Sequence, residues 1–254
     1  MKKRFVFGTV MTVLLAMTAG CDSNREEDTA DIRFFLVDMP GIYEEVNIDI
    51  QAVQVIVNDS LRELATNQGL YNLLEFVNGR DTLLVDDRVP AGFISQVRLV
   101  LGDENTVKVD GVVHDLNTPS AQQSGLKLNV HQEFFAGESY AYVIDFDAQR
   151  SIVETGNGKY NLKPVIRVFT EAVTGSIQGV VDPPESKPVI FALRDKDTVS
   201  TKADTLSGEF MVRGLPAGTY ELELDPVEGY SDTVLNDIPV FAGKITEIDT
   251  IKFE

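Results

Sequence analysis

Val46-Asn47-Ile48-Asp49-Ile50-Gln51-Ala52-Val53-Gln54-Val55-Ile56-Val57 is the stretch that decides the fold class. Val46, Ile48 and Ile50 alternate with Asn47, Asp49 and Gln51, the period of a strand with one buried face. The apolar phase then slips, because Val53, Val55 and Val57 fall one position out of step with the first set. A slip of one in a two-residue period predicts a β-bulge near Gln51-Ala52.

The same alternation recurs on both sides. Ile32, Phe34 and Leu36 precede it; Phe93, Val97, Leu99 and Leu101 follow, then Val107 and Val109, then Val112-Val113. Leu126, Leu128 and Val130 form another face, as do Tyr140, Tyr142, Ile144 and Phe146; Tyr160, Leu162, Val165, Ile166 and Val168 come next. Turn signals separate the runs: Asn78-Gly79, Pro90-Ala91-Gly92, Asp103-Glu104-Asn105, Ala136-Gly137 and Gly156-Asn157-Gly158. Only Leu61–Leu64 and Leu70–Val77 read as helical, so one brief helix or turn is expected there. Short strands with frequent turns predict a β-sandwich or barrel.

A second unit begins near Thr174. Strands are predicted at Val189–Leu193, Thr198–Ala203, Phe210–Val212, Tyr220–Leu224, Asp232–Leu235 and Lys244–Ile251, after a first strand flanked by Gly175 and Gly179. Tyr220, Leu222 and Leu224 alternate with Glu221 and Glu223, so one face is wet. The two units share a faint echo. Val89-Pro90-Ala91-Gly92-Phe93 parallels Leu215-Pro216-Ala217-Gly218-Thr219-Tyr220, and Phe135-Ala136-Gly137 parallels Phe241-Ala242-Gly243. A turn feeding a strand explains each copy without a duplication.

The chain has 254 residues, with 22 Lys plus Arg against 40 Asp plus Glu, for a net charge of −18. That field repels phosphate backbones and argues against nucleic acid as a partner. The N-terminus carries Lys2, Lys3 and Arg4, then an apolar run from Phe5 to Met17, then Thr18-Ala19-Gly20-Cys21. This is the tripartite pattern of a secretory signal over residues 1–20. The run is shorter than the roughly 20 residues that cross a bilayer, so a transmembrane anchor is the weaker reading. The sole cysteine sits at the cut and resembles the lipobox of bacterial lipoproteins, although Thr18 stands where leucine is usual. The resemblance implies lipid attachment at Cys21; a plain secretory signal with an incidental cysteine is the alternative. Loss of residues 1–20 removes the three cations Lys2, Lys3 and Arg4 and no anion, which takes the charge to −21. Residues 21–31 then read as an acidic tether. Acids just after the cysteine also resemble the surface-export signals of Bacteroidetes lipoproteins, with a solvated spacer as the equal alternative.

Residues 32–173 resemble the bacterial family called domain of unknown function 4382. The carrying residues are Leu36-Val37-Asp38-Met39-Pro40, where the family usually has Asp-Ala-Pro, and the strand Val46–Ile50. Tyr71–Leu74, Pro90–Gly92 with Gln96–Leu99, Ser120–Leu128, Asp145–Asp147 with Ser151, and Tyr160–Ile166 complete an ordered series. Residues 174–254 resemble carboxypeptidase regulatory-like or Cna-B-like domains, prealbumin-type sandwiches of the carbohydrate-binding-like fold. Gly179–Asp182, Ser207–Phe210, Gly214–Tyr220, Gly229-Tyr230 and Ala242-Gly243 carry that likeness. The resemblances imply an all-β chain of two consecutive β-sandwich domains, on a lipid anchor in the bacterial envelope, at the outer membrane. The last strand lacks the Asn of an isopeptide bond, so none is expected.

Motifs for chemistry are few. The chain holds no Gly-x-Ser-x-Gly, no Walker loop and no His-Glu-x-x-His, so catalytic, metal and cofactor residues are all expected to be none. Gly156-Asn157-Gly158-Lys159 reads as a hairpin turn and not a phosphate loop; His114 and His131 read as surface or hydrogen-bonded histidines. Asp145 and Asp147 share one face of a strand, and with Asp38 they offer oxygens that suit calcium. A solvated acidic face describes them as well and is the expectation adopted. Glycan binding lacks a Trp platform, which leaves Tyr230 as the most exposed aromatic candidate. The expected function is a non-catalytic binding or adhesion module for a glycan or protein ligand. The alternative is a structural, fimbria-associated or envelope-assembly subunit.

Overall fold

The computed structural model describes residues 28–39, 43–118, 125–156 and 158–254. The signal reading, Cys21 and most of the acidic stretch lie outside the described residues. The chain is all-β, as expected. The strands of the first half are β1 (Thr29–Met39), β2 (Glu45–Val57), β3 (Ser60–Glu63), β4 (Gly69–Asn72), β5 (Thr82–Pro90), β6 (Gly92–Leu101) and β7 (Thr106–Val109). They continue with β8 (Val112–Asn117), β9 (Leu126–Phe134), β10 (Ser139–Asp147), β11 (Ile152–Glu154), β12 (Tyr160–Leu162) and β13 (Ile166–Phe169).

Two sheets enclose the first core. One runs β13-β10-β1-β5; the other follows β11-β12-β8-β7-β2-β6-β9, with β3 and β4 also on β2. Ile32, Phe34 and Leu36 of β1 are fully buried, as are Ile48, Ile50, Val53 and Val55 of β2. Each such side chain contributes about 1.5–3 kcal/mol by leaving water. The bulge lies where the phase slip placed it: the β2–β6 register shifts between Ile50 and Ala52, and Gln51 points to solvent. β1 starts at Thr29, so the end of the stretch read as tether is strand. Ala30 is buried opposite Val89, and the outward Asp31 pairs with Arg88, which makes this polar stretch compatible with a sheet. The helical expectation shrinks to one 3₁₀ turn at Leu73–Glu75, since Leu61–Glu63 belongs to β3.

The second core has β14 (Thr174–Asp182), β15 (Val189–Arg194), β16 (Asp197–Lys202), β17 (Glu209–Pro216), β18 (Gly218–Asp225), β19 (Thr233–Val240), β20 (Ile245–Glu247) and β21 (Ile251–Lys252). One sheet is β17-β14-β20 with β21 also on β14, and the other is β16-β15-β18-β19. Between them lie Ile177, Ile190, Phe210, Leu222 and Leu224.

The sequence echo is a repeated corner. Pro90-Ala91-Gly92 carries the chain from β5 in one sheet to β6 in the other, and Pro216-Ala217-Gly218 does the same from β17 to β18. A side chain from a neighbouring hairpin braces each corner. Asn58 Nδ2 donates to the Ala91 carbonyl at 3.2 Å, and Arg194 Nη1 donates to the Ala217 carbonyl at 2.8 Å. The Phe-Ala-Gly turns also switch sheets, from β9 to β10 and from β19 to β20.

Candidate functional site at the seam between the cores

The two cores meet at the C-terminal end of β1. Asp145 on β10 and Arg167 on β13 are cross-strand partners. Arg167 Nε donates to Asp145 Oδ2 at 3.0 Å, and Nη2 reaches the same oxygen. Arg167 Nη2 also donates to the Arg213 carbonyl on β17, at 3.4 Å. The Arg213 guanidinium turns back toward the first half. Both of its terminal nitrogens lie 3.3 Å from Asp81 Oδ2, and Nη2 also pairs with Glu171. Only 13% of the Arg213 side chain is exposed, so the clamp sits inside the seam. Next to it Gly214, at φ 71°, lies against the Phe169 ring, which leaves no room for a Cβ. The Asn78-Gly79 turn, with both φ angles positive, packs on Met211.

Asp145 is 3% exposed. Burial pushes its carboxyl above the usual carboxylate range, and the Arg167 guanidinium pulls in the opposite direction. Its Oδ1 and the Oδ1 of Asn78 receive no protein hydrogen bond among the described residues. Both residues line a small space of about 20 Å³, enough for one water. Beside it runs an open groove of about 480 Å³ lined by Glu171, Ala172, Thr174, Met211, Arg213 and Lys244 among others. Its walls offer both charge signs and apolar surface, which suits a ligand of mixed polarity.

The expected solvated acidic face is corrected here. Asp145 and Asp147 do share one face of β10, but both are buried. Each has fixed donors, which makes burial tolerable. Asp147 Oδ1 accepts the Arg150 backbone N–H at 2.9 Å and caps the short helix Ala148–Ser151; burial pushes its carboxyl up as well. Asp38 lies opposite Phe146 in register, out of phase with the other two, and accepts the Ala148 N–H at 3.0 Å. The described residues contain no cluster of three or more His, Cys, Asp or Glu placed to hold a metal.

Tyr230 is also corrected. Its ring meets Phe253 edge-on at 6.2 Å and packs on the second core, so it is no open platform. His114 packs beside Tyr160 and His131 beside Phe93. Gly156, Gly158 and Lys159 lie between the paired strands β11 and β12, where Thr155 N donates to the Lys159 carbonyl. Phe93, expected on one apolar face with Val97, is turned outward because the register shifts between Ile94 and Gln96 and Ile94 takes the inward place. Among the described residues the large exposed aromatics are Phe93, Phe135 and Phe241. The last two open the Phe-Ala-Gly turns, so the echo was a signal for them. Arg167 and Arg213 had no signal beyond a polar residue within an apolar run.

No curated protein matches the chain. Among solved structures it is similar to the Bacillus anthracis TIE protein at 11% identity and a TM-score of 0.25, over 89% of this chain and 34% of that one. It is similar to a streptococcal ancillary pilin at 11% identity and a TM-score of 0.24, over 88% of this chain and 68% of that one. A leucine-rich repeat protein from Bacteroides thetaiotaomicron gives 11% identity and a TM-score of 0.20, over 89% and 26%. The chain thus spans about a third of the length of the first of these. A family model described as a domain of unknown function, DUF4382, matches residues 29–164, more than half of the chain. The chain belongs to the DUF4382 family.

Proposed function

We propose that this protein is a non-catalytic binding module of the bacterial cell envelope, lipid-anchored through Cys21 at the outer membrane, with its ligand site in the seam groove. One observation carries the reading: the path of β1. The strand begins at Thr29, close after Cys21, and brings Val37 and Asp38, near its far end, to the seam. Its 11 residues span about 35 Å. The groove and the second core therefore stand a strand's length from the anchored end. The second core, read as a carboxypeptidase regulatory-like sandwich, supplies Met211, Arg213 and Lys244 to the groove. A glycan or a protein segment is the ligand class.

The test is the N-terminal peptide of the membrane fraction by mass spectrometry, with protease shaving of intact cells. The reading expects an acylated Cys21 as first residue, surface-accessible cores, and release of Cys21→Ser from the membrane. An unmodified chain in the soluble fraction contradicts it.

A second reading, an envelope-assembly subunit, draws on strand ends. β9 and β19 each terminate a sheet path, and a terminal strand can accept another chain. Protein that stays monomeric in solution and in envelope extracts counts against it.

A further inference from the structure

The end of the molecule opposite the seam carries two exposed rings around the point where the chain arrives. Ala91 N donates to the Asp28 carbonyl at 2.8 Å, and Gly137 N donates to the Thr29 carbonyl at 2.8 Å. The start of β1 is thus held between the Pro90–Gly92 corner and the Phe135–Gly137 turn. Phe93 and Phe135, each two residues from one of those bonds, are 43% and 63% exposed. Neither is on a loose loop. Phe93 N donates to Asn58 Oδ1 at 2.9 Å, and Phe135 N donates to the Tyr140 hydroxyl at 3.0 Å. Tyr140 in turn stacks on buried Phe134 at 4.0 Å. The rings are presented on a fixed backbone.

The distance to Cys21 limits what can cover them. Six residues lie between Cys21 and Asp28, and the seven Cα-to-Cα steps extend to about 24 Å at most. With Cys21 at a bilayer surface, this end cannot move farther away than that. The nearby exposed carboxylates Asp59, Glu133 and Glu138 repel anionic headgroups. We infer that Phe93 and Phe135 form a foot that rests in the headgroup interface of the bilayer carrying the anchor, with a preference for zwitterionic lipid. Two rings alone hold weakly; the tether supplies the high local concentration that makes the contact persist. The inference rests on the proposed attachment at Cys21.

The chain contains no Trp, so one substitution creates one reporter. Protein from Cys21 onward is coupled by that thiol to maleimide lipid in phosphatidylcholine vesicles with brominated acyl chains. Phe93→Trp and Phe135→Trp are expected to shift to the blue and to be quenched. Phe241→Trp, exposed in the second core, is expected to show neither change. Adding anionic lipid is expected to reduce the quenching. Equal quenching at all three positions, or none at Phe93→Trp and Phe135→Trp, overturns the foot; stronger quenching on anionic vesicles overturns the lipid preference. Chemical coupling keeps the two readings apart, because a failure of acylation in cells leaves the vesicle result unchanged.

Discussion

The first core buries four aspartates, Asp38, Asp49, Asp145 and Asp147, whereas the buried polar residues of the second half are Thr174, Ser186 and Thr201. Both halves use the same layering and the same sheet-switching corners. They differ in what holds the layers. The second core is closed by alternating apolar side chains, as in β18, where Tyr220, Leu222 and Leu224 point inward. The first adds carboxylates that cap, brace and pair. The contrast separates two kinds of interior: one closed by apolar side chains, and one whose buried carboxylates tie its stability to protonation.

The largest expected effect lies in the apolar interior. Phe210 is fully buried between the sheets of the second core, and Phe210→Ala is expected to cost about 3–5 kcal/mol. Urea unfolding should give the same loss at pH 5 and pH 8. A loss that varies with pH would blur the contrast.

Arg167→Met comes next. It leaves the buried Asp145 carboxylate without its guanidinium, at a cost of about 3 kcal/mol at neutral pH. The cost should shrink as pH falls, because a protonated Asp145 no longer needs the cation. The wild-type sign follows from the raised carboxyls of Asp145 and Asp147. Their contribution is fully present below the ordinary carboxylate value of about 3.9 and is lost as pH rises through the folded values. Asp145→Asn should flatten that decline, measured as unfolding midpoint against pH.

Asp147→Ala removes the cap on the short helix and is expected to cost about 1 kcal/mol. The smallest effect belongs to Asp204 in the second half. Backbone N–H groups of Ser207 and Leu206 hold its carboxyl below the usual range. Its contribution is present above the ordinary value and is lost as pH falls through the lowered one. Asp204→Asn should therefore remove a loss at acid pH, opposite in sign to Asp145→Asn. The same slope for both would break the comparison.

These differences also mark what was legible in the sequence. The β2 bulge was readable because a phase slip is local and each side chain reports its own face. The wet face of β18 was readable for the same reason. The role of Asp145 was not. An i, i+2 pair of aspartates on a strand has one pattern whether it faces water or an arginine 22 residues away. Arg213 and Asp81 are 132 residues apart, and no local spacing connects them. The parallel pairing of β1 with β10 is equally non-local. The corners were seen as turns, but their change of sheet emerges only from the pairing partners of the flanking strands.

The most direct test of the binding function is retention on glycan and matrix-protein arrays, with wild type beside a groove-blocked variant. Ala172 is exposed and lines the seam groove, so Ala172→Trp fills the groove without entering either core. The account predicts a ligand held by wild type and weakened about tenfold or more, near 1.4 kcal/mol, by Ala172→Trp. Silence on both arrays, or a ligand held equally by both proteins, would contradict it.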